Sequence, residues 1–281
     1  MRFYCFGSGG AEGIPVPYCA CRTCSYARVH KVDLLRPGYA VEMGESIFWL
    51  ELSPDLRKQL LTYGKEPQYF FVSHIHYDHI VGFGELKMFL KVALREGETR
   101  KTLTLLMPKH LYNNFFRPIK TFFHMIPESF YHSFFELVDE GYIRLHIMEK
   151  DTFYSINGAR VMQVENVHSG GISSSLIIDK DEKRFVYLAD AEKVDDGIYD
   201  LLENKPADLL IAHTPILDNF THQGHMGLED LLELNAKKIL VTHFSHKVDL
   251  TPEEIREKVK AFAEKWGKDM EPIFDGEVKD F

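Results

Sequence analysis

Four metal-ligand-type side chains, His74, His76, Asp78 and His79, fall within six consecutive positions of the segment QYFFVSHIHYDHIVGF. The apolar run just before them reads as a buried strand. Residues two apart on an extended chain project to the same side. His74 and His76 can therefore grip one cation, while the following turn offers Asp78 and His79 to a second. The inert alternative is a set of surface histidines at a helix start, with Asp78 as an N-cap. Three imidazoles in so short a span favour a metal site.

More donors must come from elsewhere in the chain. His168 in VENVHSGG, Asp190 in FVYLADAEK and His243 in ILVTHFSH each follow a β-prone run. A lone histidine at a strand end is ordinarily a polar residue with a local partner, but three donors in equivalent positions point to one shared site. Three of the four cysteines, Cys19, Cys21 and Cys24, lie within six residues. That crowding suits a shared metal better than separate disulfides, the inert alternative being three reduced thiols in a loop. Cys5 sits in the first strand and reads as a small buried hydrophobe.

With 281 residues, 45% of them hydrophobic, the chain can bury a large core. Its 33 Lys and Arg against 42 Asp and Glu give a net charge of −9, which disfavours general nucleic-acid binding. One stretch runs the other way: Lys91, Arg95, Arg100, Lys101, Lys109, Arg117 and Lys120 oppose only Glu96 and Glu98, a local excess that could hold a phosphate or RNA. No apolar run is long enough for a membrane span, and the start MRFYCFGSGG turns to glycine too early for a signal-peptide core, so a cytoplasmic protein is expected.

Strands are predicted at 2–6, 39–43, 46–52, 68–72, 102–107, 142–148, 160–164, 173–179, 184–189, 208–212 and 238–241. Helices are predicted at 54–63, 197–203, 228–235 and 252–266, with turns at Gly44, Gly158 and 179–181. This interleaving without a linker indicates an α/β (α+β) chain forming a single domain over 1–281. The aromatic-rich LYNNFFRPIKTFFHMIPESFYHSFF breaks the pattern and reads as a helical insertion at about 108–140, interrupted at Pro118 and Pro127. It could cap the core, close over a site as a lid, or form a contact between two copies in a homodimer.

These motifs resemble those of the metallo-β-lactamase-fold hydrolases, in which an HxHxDH motif is followed by later His, Asp and His ligands. The resemblance spans essentially the whole chain and implies an αββα sandwich. It implies that His74, His76 and His168 bind one metal, that Asp78, His79 and His243 bind a second, and that Asp190 bridges them. Many members carry an aspartate after the strand preceding the motif, where FWLELSPDL offers Glu51. Glu51 could still accept a ligand-histidine N–H, one methylene further out.

The sequence GSGGAEGIPVPYCACRTC and the tail Thr242-His243-Phe244-Ser245-His246 are similar to motifs of the PhnP-type cyclic phosphodiesterases. That resemblance implies a closed structural zinc site of Cys19, Cys21, Cys24 and His246, pinning the N-terminal loop near the active site. It also implies His225 as the general acid at the leaving group, a role for which His222 matches the motif less well and His213 offers only a strand-end position. Asp78 and His225 are then the catalytic candidates, with two divalent ions (Zn, Mn or Fe) as cofactors. The implied activity is hydrolysis of a small cyclic phosphodiester. A tRNA 3′-processing endoribonuclease and a PqqB-like cofactor-biosynthesis protein are the alternatives.

Overall fold

The computed structural model describes residues 1–115, 128–218 and 224–281. The first sheet holds β1 (Arg2–Gly7), β2 (Gly38–Met43), β3 (Ser46–Leu50), β4 (Tyr69–Phe71), β5 (Leu103–Pro108) and β6 (Ile143–Met148). The second holds β7 (Tyr154–Ile156), β8 (Ala159–His168), β9 (Gly171–Lys180), β10 (Lys183–Leu188), β11 (Leu209–His213), β12 (Ile239–Thr242) and β13 (Met270–Pro272). The last strand, β14 (Val278–Asp280), returns to the first sheet. Their orders are β14-β1-β2-β3-β4-β5-β6 and β13-β12-β11-β10-β9-β8-β7.

Strand alternation divides the side chains into layers. Phe48 and Leu50 of β3, with Phe185 and Tyr187 of β10, fill the core between the sheets. Trp49 faces outward under helices on one side, and Val186 and Leu188 do so on the other. The helices follow from the parallel pairings β3-β4-β5-β6 and β10-β11-β12-β13, which need crossovers. On the first sheet these are α2 (Leu56–Tyr63), α3 (Tyr77–Ile80), α4 (Phe83–Lys87), α5 (Lys109–Phe115) and α6 (Glu128–Asp139). On the second they are α7 (Asp196–Asn204) and α8 (Pro252–Trp266), joined there by α1 (Arg22–His30). The result is the expected αββα sandwich. Cys5 is fully buried in the inter-sheet core, as its sequence position suggested.

The predicted helix at 228–235 is not formed. Its backbone makes i→i+3 bonds from Leu231 to Leu228, Leu232 to Glu229 and Leu234 to Leu231. The segment is tethered at both ends, by Leu228 N–H to Leu217 O and by Asn235 O to Ala207 N–H, so tight turns fit where an α-helix would not. Leu231 and Leu234 still reach the core. The predicted turn at 179–181 also moves. Asp179 is in β9, bound to the buried Arg184 through both carboxylate oxygens, and the turn is Asp181-Glu182, both at positive φ.

Of the aromatic insertion, residues 116–127 lie outside the described residues, including Arg117, Pro118, Lys120 and Pro127. Leu111 and Phe134 on either side are buried in the core beneath α2 and α4. Three cations of the basic stretch are engaged locally: Lys91 pairs with Glu136 and Glu140, Lys109 with Glu149, and Arg100 lies over the Phe89 ring. Among the described residues no helix is long and apolar enough to cross a membrane.

Candidate metal centre

Every predicted donor in the main cluster lies at the carboxyl end of a strand, where an α/β fold leaves a crevice for ligands. His74, His76, Asp78 and His79 follow β4, His168 ends β8, Asp190 follows β10, and His243 follows β12. The donors thus come from both sheets and meet at the seam. His74, His76, His168 and Asp190 form one group whose ligand atoms all lie within 4.8 Å of one another. Asp190 Oδ2 is 3.7 Å from His74 Nε2, 3.5 Å from His168 Nε2 and 3.3 Å from His79 Nε2. His79 Nε2 is also 3.1 Å from Asp78 Oδ2, while His243 Nε2 is 3.5 Å from Asp190 Oδ1 and 3.9 Å from Asp78 Oδ2. All seven predicted ligands therefore converge, with Asp190 shared between the two halves.

Buried polar atoms normally have partners. Here His74 Nε2, Asp78 Oδ2 and His79 Nε2 are buried with no hydrogen bond, and orphaned donors and acceptors facing one another fit a cation. The outward nitrogens are already oriented. His168 Nδ1 is 2.5 Å from the Gly224 carbonyl and His74 Nδ1 is 2.9 Å from Ser73 Oγ, which leaves each Nε2 facing inward. Gly224 holds φ +81, and a Cβ on it would lie 2.3 Å from Ser169 Oγ.

Burial lowers the pKa values of His74, His168 and His243, and that of His76 to about 4, so each presents a neutral imidazole. Burial pushes Asp78 up, but the nearby charge of His79 brings it down to about 2. Asp190 falls well below the ordinary range for a similar reason, under His243, His225 and His79. His79 behaves oppositely. Burial lowers it, but Asp78, Asp190 and Glu51 together raise it well above its usual value. Metal binding needs the neutral ring, so the carboxylates that favour a proton on His79 make metal uptake compete with protonation there.

The glutamate at position 51 serves the site. Glu51 is fully buried at φ +72, accepts hydrogen bonds from Ser73 N–H and the Tyr187 hydroxyl, and lies 3.3 Å from His79 Nδ1. His213, which the sequence marked only as a strand-end residue, is also at the centre, with Nδ1 2.7 Å from Asp190 Oδ1. Its signal was the register of DLLIAH, which ends β11 beside the β12 strand that carries His243.

Cys19, Cys21, Cys24 and His246 come together, with their ligand atoms within 4.8 Å of one another. His246 Nδ1 is 3.3 Å from Cys19 Sγ and 3.7 Å from Cys21 Sγ. Cys21 is also the N-cap of α1 and accepts from Cys24 N–H. The loop before it lies against the main centre, because Phe244 N–H donates to Ser8 O and Gly10 N–H to Phe244 O. Gly9 is required there, since a Cβ would lie 2.6 Å from the Leu34 carbonyl oxygen.

Beside the main cluster a cleft of roughly 340 Å³ is lined by Gly10 to Glu12, Pro215, Ile216, His225, His243 and Ser245 to Lys247. His225 Nδ1 is buried, has no hydrogen-bond partner and lies 3.7 Å from Asp190 Oδ1. His222 lies outside the described residues.

The fold recurs in solved structures. A diphosphatase from the PhnP family shares 21% identity over 100% of this chain and 97% of its own, with a TM-score of 0.72. Zn(2+)-bound PqqB from Methylobacterium extorquens shares 15% over 100% of both chains, with a TM-score of 0.74. Human tRNase Z, short form, shares 15% over 100% of this chain and 99% of its own, with a TM-score of 0.65. At these identities the likeness is one of fold. A sequence search among curated proteins gives no match. The sequence profile of the beta-lactamase superfamily domain matches residues 52–244, a span that holds every donor of the main cluster, and the chain belongs to that metallo-hydrolase superfamily.

Proposed function

We propose that the protein is a phosphodiesterase that hydrolyses a small cyclic phosphodiester with two divalent metal ions. The observation that carries this reading is the pair of donor groups sharing Asp190 beside a cleft that contains His225. His74, His76 and His168 would hold one ion, Asp78, His79 and His243 the other, with Asp190 between them. Zn, Mn and Fe all suit such a donor set. Divalent ions held there lower the pKa of a bound water toward neutrality and offset charge on phosphoryl oxygens.

The chain's own residues do the rest. His225, with Nδ1 turned toward Asp190, gives a proton through Nε2 to the departing alkoxide, otherwise a poor leaving group. Asp78 and Asp190 carry the negative charge that keeps cations in place. Cys19, Cys21, Cys24 and His246 would hold a structural zinc, and four protein donors would leave substrate no place on it. Free thiols in this arrangement suit a reducing cytoplasm. The ion pairs that consume Lys91 and Lys109 weigh against an RNA surface on that side.

A metal-supplemented screen of cyclic ribose phosphates, cyclic nucleotides, an aryl phosphodiester, precursor tRNA and a β-lactam tests the substrate class. Preference for precursor tRNA would replace the proposed substrate with RNA. His225→Ala is expected to keep its metals and slow alkoxide-releasing substrates by roughly 10²–10⁴-fold, with a much smaller loss on an aryl ester whose phenolate needs little protonation. Equal losses on both, or loss of metal, would remove His225 from the acid role.

A further inference from the structure

His213 lies close enough to be taken for a metal ligand. Its ligand atom falls within 4.8 Å of those of His79, Asp190 and His243. It is fully buried at the end of β11, and its ring stacks face to face on that of His243, with centroids 4.4 Å apart and planes at 3°.

Hydrogen-bond accounting assigns its two nitrogens. Nδ1 is 2.7 Å from Asp190 Oδ1, and an ionised carboxylate can only accept, so Nδ1 carries the hydrogen. Nε2 is 3.0 Å from the Tyr39 hydroxyl and 3.3 Å from that of Tyr187. Tyr187 has one hydroxyl hydrogen and donates it to Glu51 Oε1 at 2.8 Å. Tyr39 is therefore the donor to Nε2. Both nitrogens of a neutral ring are then committed, and Nδ1, the one facing the cluster, has no lone pair for a cation.

We propose that His213 is a positioning residue, not a ligand: it ties down Asp190 Oδ1, the oxygen that also faces His243 at 3.5 Å, and backs the His243 ring, so that Asp190 Oδ2 is left to His74, His168 and His79. Oδ2 is the atom that lies 3.3–3.7 Å from His79, His168 and His74. Tyr39 fixes the His213 tautomer from the inter-sheet core. Tyr187 donates to Glu51, which lies 3.3 Å from His79 Nδ1, so the core-facing flank of the centre is held by one connected set of hydrogen bonds and contacts. This inference rests on the reading of the cluster as a metal centre.

Two substitutions separate the roles. The amide N–H of His213→Asn can replace the Nδ1–H donor but cannot replace an imidazole ligand, whereas His213→Ala supplies neither. Metal affinity is measured by competition with a chromophoric chelator, and ligand geometry by the visible spectrum of the Co²⁺ form. His213→Ala is expected to weaken metal binding by roughly 10–100-fold, as loss of a ligand-orienting partner does. His213→Asn is expected to stay within about threefold of the wild type with an unchanged Co²⁺ spectrum. Equal weakening in both variants, a changed Co²⁺ spectrum in His213→Asn, or wild-type affinity in His213→Ala would overturn the assignment. If His213→Ala fails to fold, affinity and spectrum of His213→Asn decide alone. A wild-type protein that took up no divalent cation at this centre would instead refute the metal reading itself.

Discussion

Gly224→Ala would test how the chain orients His168, since the added Cβ would also come within 3.3 Å of His168 Nδ1 while leaving every donor residue in the sequence. The added Cβ would sit 2.3 Å from Ser169 Oγ and 3.1 Å from Ser169 N, at φ +81. The left-handed conformation alone costs an alanine about 1–2 kcal/mol. Because the Gly224 carbonyl holds His168 Nδ1 at 2.5 Å, any shift that relieves the clash also moves the ligand. Disturbing such a partner weakens metal binding by roughly 10–100-fold, or about 1.4–2.7 kcal/mol. The metal-free variant should melt roughly 2–8 °C lower, at about 2–4 °C per kcal/mol for a chain of this size. Chelator competition should show the loss of affinity separately. Adding Ser169→Gly, at a residue itself at φ +46, removes the Oγ obstacle, so the double variant should regain part of the stability lost to the clash but not the φ cost at position 224, nor the contacts to the position-169 N and to His168 Nδ1. Retention of metal affinity within about twofold in Gly224→Ala, despite the lower melting temperature, would refute the orienting role of this carbonyl.

Other outcomes follow from the geometry. Cys21→Ser should release zinc from the cysteine cluster and lower the melting temperature far more than it changes turnover at the main centre, since a closed site adds its binding free energy to the folded state; unchanged zinc content and stability would eliminate that role. His110 is held neutral by burial, its pKa lowered from 6.5 to about 4. The unfolded chain takes up that proton first as pH falls through 6.5, so stability should drop between pH 6.5 and 4, by about 2 kcal/mol at pH 5 from this group. Chemical denaturation across that range should show a shallower pH dependence in His110→Asn, and an identical slope would show that His110 is not the source.

The strands and donors were legible because their signals are local: apolar runs mark β3, β4, β10 and β12, and the donors follow them directly. The cysteine cluster was legible for the same reason. Helix 228–235 failed because its leucines have helical spacing, but the bonds to Leu217 and Ala207 leave it only tight turns. α1 was missed because its cap is a cysteine, a residue that reads as a ligand before it reads as a helix start. β7, β13 and β14 have three residues each and exist by pairing. His213 and Glu51 were underrated because their roles depend on Tyr39 and Tyr187, brought to them by the packing of the two sheets.

The seam between the sheets gives the centre a second consequence. Four donors lie within residues 74–79, while the others are spread over 168–243. A bound cation is thus a cross-link between two parts of the chain that meet only in the folded state. Free metal then acts as a mass-action stabiliser, adding about 2.7 kcal/mol at a hundred times the dissociation constant. The local quartet tempers this, since it can hold an ion weakly in the unfolded chain and so reduce the gain. The melting temperature should climb with the logarithm of free metal concentration, and a flat dependence would show that the two sheets associate as firmly without the ion.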